Sequence, residues 1–147
     1  MDAWSLILQV ATLVAVIVAA WQLLFLSRQM HRDFEALYVQ RYWTLMDQRT
    51  RGFVLAGAPR RADRIVILSY LQLCEDEIDC RRIGRVTDST WNFWRSAILA
   101  QVSEAPYADV LDSLPIDRFP QLRGLLSDTA IHDPLAWKWP RRAFHGL

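Results

Sequence analysis

The amino-acid sequence predicts an all-α protein, in which one N-terminal transmembrane helix continues as a stalk into a small cytoplasmic helical domain. Three observations carry that expectation. Trp4 to Leu26 reads WSLILQVATLVAVIVAAWQLLFL, 23 residues without a charge. No Gly or Pro interrupts the chain from there to Gly52, while apolar residues keep recurring at helical spacing. Beyond Gly57-Ala58-Pro59, further stretches of that spacing are punctuated by Gly84, Thr87 and Pro106.

The first element, residues 4–26, is dictated by the solvent it suits. A helix of that length reaches roughly 35 Å, enough to cross a hydrocarbon core of about 30 Å with modest tilt. Lipid leaves the backbone no partner but itself, so such a segment is helical. Trp4 and Trp21 stand near its two ends, where amphipathic rings prefer the headgroup boundary. A cleaved signal peptide fits less well. Met1-Asp2-Ala3 carries no Lys or Arg, and the apolar run continues past the small residues Val18-Ala19-Ala20.

Orientation follows from the flanks. Only Asp2 precedes the span, whereas Arg28 and Arg32 follow it, and residues 27–61 hold seven Arg against Asp33, Glu35 and Asp47. Positive charge stays on the cytoplasmic side. The expectation is an N-terminus outside and a C-terminal domain in the bacterial cytoplasm, with both thiols, Cys74 and Cys80, reduced. Along the span, Ala11, Ala15, Ala19 and Gln22 share one face, a surface on which helices pack closely in lipid. A homo-oligomer with that stripe as its interface is expected.

Residues 27–52 form the juxtamembrane stalk, with Met30, Phe34, Leu37, Tyr38 and Leu45 at helical spacing and Gly52 as its stop. The helical domain is placed at 60–128. Its first helix covers Asp63 to Arg82, apolar at Ile65, Ile67, Leu68, Leu71, Leu73, Cys74 and Ile78, with Gly84 as the terminator. Thr87 caps the next, where Val86 and Trp91 are placed for a hydrophobic staple and Trp91, Trp94, Ile98 and Val102 make one stripe. Short helices are expected at Tyr107–Leu114 and Phe119–Leu126. Residues 129–147 read as an irregular basic-aromatic tail, in which Trp137, Trp139, Arg141 and Arg142 suit contact with a membrane surface.

Composition excludes several classes. A chain of 147 residues, 52% hydrophobic with seven Trp, is not disordered, and five Gly with six Pro exclude a collagen-like repeat. A net charge of +1 gives no polycation for nucleic acid, so nucleic acid is not an expected partner. The charge is segregated, however. Residues 27–61 are net +4, residues 87–133 net −4, and residues 134–147 net +3. The basic zone faces anionic lipid, and the acidic region is the candidate surface for a cytoplasmic protein partner.

The stretch ILSYLQLCEDEIDCRRIGRVTDSTWNFWRSAI, together with the single span and the arginine-rich helix before it, resembles a family of uncharacterised bacterial single-pass membrane-anchored helical proteins, a domain of unknown function. The pattern is an apolar helix with an acidic turn, a basic-Gly connector, an Asp or Thr cap and a Trp-bearing helix. The resemblance covers about residues 60–100 and implies a fold. It supplies no catalytic residue.

Chemistry-bearing clusters are few. Glu75, Asp76, Glu77 and Asp79 read as a solvated helix end, with Glu77 and Arg81 spaced for an ordinary i,i+4 pair, because no His lies near enough to build a carboxylate metal site. His31, His132 and His145 match neither a zinc spacing nor the Arg-to-His spacing of a HEPN-type RNase. Trp91, Trp94 and Arg95 fit a packed stripe better than a ligand box, and Phe93 lies off that stripe. Phosphate loops, nucleophile elbows and kinase signatures are missing. No catalytic residue, metal or cofactor is therefore expected. The function expected is a non-enzymatic, membrane-anchored interaction or sensing module. The alternative is an oligomeric membrane effector that perturbs the bilayer, as in defence or toxin systems, although Gln9, Thr12 and Gln22 form no continuous polar stripe.

Overall fold

The computed structural model describes residues 3–49, 61–127, 133–145 and 147, and among them the only regular structure is helical. In chain order the helices are α1 Ala3–Asp47, α2 Arg61–Arg82, α3 Asp88–Val102, α4 Tyr107–Asp112, α5 Pro120–Ser127 and α6 Trp139–His145. The fold is all-α, with one long apolar N-terminal helix and a small helical remainder.

α1 is a single uninterrupted helix of 45 residues, about 68 Å at 1.5 Å per residue. Its N-terminal half is long and apolar enough to cross a membrane, and its side chains there are exposed. Trp4 and Trp21 point outward, as do Ala11, Ala15, Ala19 and Gln22, and Arg28 and Arg32 just beyond them. The C-terminal half is not a free-standing stalk. Phe34, Tyr38, Tyr42 and Leu45 pack on the core of the domain, and His31 and Met46 are buried. The buried stripe therefore differs from the expected one, since Met30 and Leu37 face outward. The helix stops at Asp47; Gly52 and the Gly57-Ala58-Pro59 breaker lie outside the described residues.

α2 is the hub. It packs against α1, α3, α4 and α5, and burying it on several faces requires the apolar density seen in its sequence. Ile67, Leu71, Leu73, Cys74 and Ile78 are completely buried, whereas Ile65 points outward. Its C-terminus is a Schellman motif at Gly84 (φ 75°), with the Arg85 N–H donating to Cys80 O at 2.9 Å and the Gly84 N–H to Arg81 O at 3.0 Å. Thr87 is the N-cap of α3, and Val86, Trp91, Trp94, Ile98 and Val102 are all in the core.

Two helix N-termini are capped from other helices. Glu35 on α1 accepts from the Thr87 N–H at 2.9 Å and from the hydroxyls of Thr87 and Thr90 at 2.8 Å each. Glu75 on α2 accepts the Gln121 and Leu122 N–H groups at 2.9 and 2.7 Å, at the start of α5 where Pro120 has no N–H to offer. Each carboxylate ties two elements together, Glu35 joining α1 to the start of α3 and Glu75 joining α2 to the start of α5. Asp76 meets Arg41 of α1 at 3.3 Å. The acidic cluster is thus an inter-helix seam rather than a solvated helix end.

The tail also departs from expectation. Residues 139–145 are helical, and Asp133, Leu135, Trp137, Arg142 and His145 hold the segment against the domain. Arg81, 1% exposed, donates to Asp133 through Nε at 2.8 Å and Nη2 at 2.5 Å, to Asp88 at 2.6 Å and to the Val86 carbonyl at 2.9 Å. It makes this network in place of an i,i+4 pair with Glu77. Arg142 repeats the clasp from the tail side, reaching Asp133 at 3.1 Å, Asp88 at 3.3 Å and the carbonyls of Leu135 and Trp137. The Trp137 ring lies flat where a Cβ on Gly84 would sit, with ring carbons 2.7 Å from that point, and the Arg141 guanidinium stacks on its ring at 4.0 Å. Among residues 133–145 the docking rests on these polar contacts together with buried Leu135 and the Trp137 ring, which form no helical stripe that the sequence could show. His132 lies outside the described residues.

Candidate functional site

A cavity of about 300 Å³ opens between α1, α2 and α3. α1 contributes Val39, Tyr42 and Trp43 to it, α2 contributes Tyr70 and Glu77, and α3 contributes Phe93, Trp94, Ala97 and Ile98. The wall is mostly aromatic. Tyr42 packs edge-on against Trp43 (centroids 5.3 Å apart) and against Tyr70 (6.0 Å), and Tyr70 meets Tyr107 of α4 behind it at 5.1 Å. Trp94 is backed by Tyr38 at 5.8 Å. Trp43 and Phe93 stand exposed at the mouth.

The polar feature of the wall is Glu77. Its residue is 7% exposed, yet its carboxylate makes no hydrogen bond to any described residue. Burial pushes the carboxyl up to about 8 from 4.5, with the neighbouring Asp76 adding to the rise and Arg41 opposing it. Arg41 itself is drawn to Asp76. Beside Glu77, burial also raises the Tyr70 phenol and the fully buried Cys74 thiol, so both stay protonated. Glu77 falls on the buried face because Tyr70, Cys74, Glu77 and Arg81 follow the α2 stripe at intervals of four, three and four. Grouping it with its sequence neighbours missed this; reading the helical period through Glu77 finds it.

The other expected site residues are distributed differently. Trp91, Trp94 and Arg95 do not form a box. Trp91 is a core residue, and Trp94 is both core and cavity wall. Of the tail residues, Trp137 and Arg142 are turned inward to the docking contacts, whereas Trp139 and Arg141 remain on the surface. Asp88 and Asp133 are engaged by Arg81, so among the described residues the open part of the acidic region is Glu104, Asp109, Asp112 and Asp117. His31 is buried between two carbonyl oxygens, Arg85 O 2.9 Å from Nδ1 and His145 O 3.1 Å from Nε2. Among the described residues no group of three or more His, Cys, Asp or Glu is arranged to hold a metal ion.

Fold and cavity together define a helical domain with an aromatic, acid-bottomed pocket built onto the same helix that bears the apolar segment. No protein-family model matches the chain, and neither a curated protein nor a solved structure matches it.

Proposed function

We propose that this chain is a non-enzymatic sensing module anchored by one span in the bacterial inner membrane, with its N-terminus outside and its helical domain in the cytoplasm. The observation that carries the reading is the continuity of α1. One unbroken helix runs from the apolar segment to Val39, Tyr42 and Trp43 in the cavity wall. A ligand seated there touches a rigid rod whose other end lies in lipid, so occupancy bears directly on how the span is held. The cavity offers Glu77 and two phenols but no nucleophile paired with a base, which favours binding over hydrolysis. The exposed acidic side chains Asp109, Asp112 and Asp117 provide a surface for a cytoplasmic partner.

Topology is tested with C-terminal fusions. A cytoplasm-dependent fluorescent reporter should be bright, and a phosphatase that folds only outside should be inactive. An active phosphatase overturns the orientation and with it the cytoplasmic sensing role. Vesicles holding the purified chain should retain an entrapped dye, whereas leakage would favour the bilayer-perturbing effector.

Within the membrane the module self-associates through Ala11, Ala15, Ala19 and Gln22, a face that no other part of the described chain covers. Ala15→Ile should reduce the crosslinked oligomer in native membranes, while Val14→Ile should leave it unchanged. An oligomer insensitive to Ala15→Ile removes this stripe from the interface.

A further inference from the structure

We propose that the cavity walled by Tyr42, Trp43, Tyr70, Phe93, Trp94 and Glu77 binds a small soluble organic cation of the quaternary or methylated ammonium class. The proposal deepens the sensing reading, on which it rests for its consequence, and it names the ligand by chemistry. Aromatic faces carry negative potential and are weakly hydrated, so several of them together suit a cation too poorly solvated to prefer water. A primary ammonium or a metal ion gains most from several converging oxygen donors, whereas this wall is mainly aromatic with a single carboxylate.

The single carboxyl in the wall supplies the counter-charge. A carboxylate largely withdrawn from water and opening onto a cavity favours a cation that seats beside it. Glu77 makes no hydrogen bond to a described residue and faces the cavity. Arg41, whose charge acts on Glu77, pairs with Asp76 and is not among the residues that line the cavity. A cation in the cavity sits beside Glu77.

Size and place narrow the class. A volume of about 300 Å³ holds a trimethylammonium head with a short substituent. Tyr42 lies 16 residues beyond Leu26, about 24 Å along the helix. Headgroup layers are several ångströms deep, so the site stands clear of a lipid headgroup on its own bilayer. A soluble cation is the better occupant.

Binding is linked to protons. Facing Glu77 are Arg41 and Tyr42 from α1, and Tyr70, Cys74, Asp76 and Cys80 from α2, with Tyr107 of α4 behind Tyr70, while the α3 side chains in the wall are apolar or aromatic. The empty site holds a proton on Glu77 up to pH about 8. A bound cation favours the ionised form, so the carboxyl proton leaves to solvent as the cation enters. Affinity should therefore rise with pH, by about tenfold per unit below pH 8, and level off above it.

The test is calorimetric titration of the full-length chain in maltoside micelles with choline and with 3,3-dimethyl-1-butanol, its uncharged carbon isostere, at pH 6 and pH 8.5. Choline should bind saturably, more than tenfold tighter at pH 8.5, and the isostere should be at least tenfold weaker than choline at that pH. Trp43→Ala, at an exposed position, should weaken choline by about tenfold with the far-UV spectrum unchanged. Glu77→Gln should weaken it at pH 8.5 and abolish the pH dependence. Equal binding of the isostere, a pH-independent affinity, or no saturable binding of choline or tetramethylammonium each overturns the proposal. Loss of choline binding in phosphatidylcholine nanodiscs but not in phosphatidylglycerol ones would overturn the soluble source and reassign the cation to a lipid headgroup. Micelles have no sides, so a failed topology result leaves this binding result standing, and the converse holds equally.

Discussion

Arg81→Leu should destabilise the helical domain by about 2–3 kcal/mol, because it removes charge-assisted hydrogen bonds while the carboxylates left behind stay partly solvated. Arg81 is 1% exposed and joins the end of α2, the connector at Val86, the first turn of α3 and the start of the tail. Removing it leaves Asp133 and Asp88 facing each other with only Arg142 between them, at 3.1 and 3.3 Å. Arg142→Ala should cost much less, because its side chain is more exposed and Arg81 keeps both carboxylates. Its effect belongs to the tail, where limited trypsin digestion should cut near Arg141 faster than in the native chain. Urea unfolding in micelles measures the first effect. A loss below about 1 kcal/mol for Arg81→Leu would mean that the network contributes little to docking.

The same network has a definite acid dependence. Burial pushes Asp133 up, but the Arg81 hydrogen bonds, the Leu135 N–H and the Arg142 charge together hold its carboxyl below the ordinary value. A carboxyl depressed in the folded state contributes its full stability above the unfolded value near 3.9 and loses it as pH falls through the native one. The clasp on the tail therefore weakens in strong acid and is indifferent to mild alkali.

Most elements set by local periodicity were legible in the sequence, although Met30, Leu37 and Ile65, read as part of apolar stripes, face outward. α1 follows from the unbroken apolar and then amphipathic run, α2 from its density of Ile and Leu, and α3 from the Thr87 cap and the Trp91-Trp94-Ile98-Val102 stripe. Gly84 announced the end of α2 because only a left-handed residue closes a Schellman motif cheaply. What was not legible depends on partners far away in the chain. Glu35 and Glu75 cap helices 52 and 46 residues distant, and Arg81 meets Asp133 across 52 residues. Charged residues on a helix look solvated until the element that buries them is known. The tail illustrates the same limit, since Trp137 docks because Gly84 leaves room for a flat ring, and no pattern within residues 129–147 states that. The cavity was half legible. Phe93 stands off the α3 stripe, and Glu77 sits on the buried period of α2, but their meeting with Tyr42 and Trp43 required the packing of α1.

Glu77→Gln should make the chain more stable at pH 8.5 and leave it almost unchanged near pH 4.5. In the folded protein burial raises the carboxyl to about 8 from 4.5, so between those values the native state holds a proton that the unfolded chain has released. Stability conferred by that proton is fully present below the unfolded value and is lost as pH rises through the native one. At about 1.4 kcal/mol per pH unit, the native chain gives up on the order of 4–5 kcal/mol across that window, and a glutamine, which does not titrate, gives up none. Denaturant unfolding of both chains in maltoside at pH 5 and pH 8.5 measures the difference. Choline at pH 8.5 should restore much of the deficit in the native chain, because a ligand that binds only the folded state adds stability with its concentration, and should do less for the variant. A carboxyl that weakens its own fold in the absence of a cation, and recovers that loss when one is supplied, is retained for binding rather than for structure. Identical unfolding of the two chains at both pH values would show that Glu77 is hydrated in the folded protein and offers the cavity no special charge.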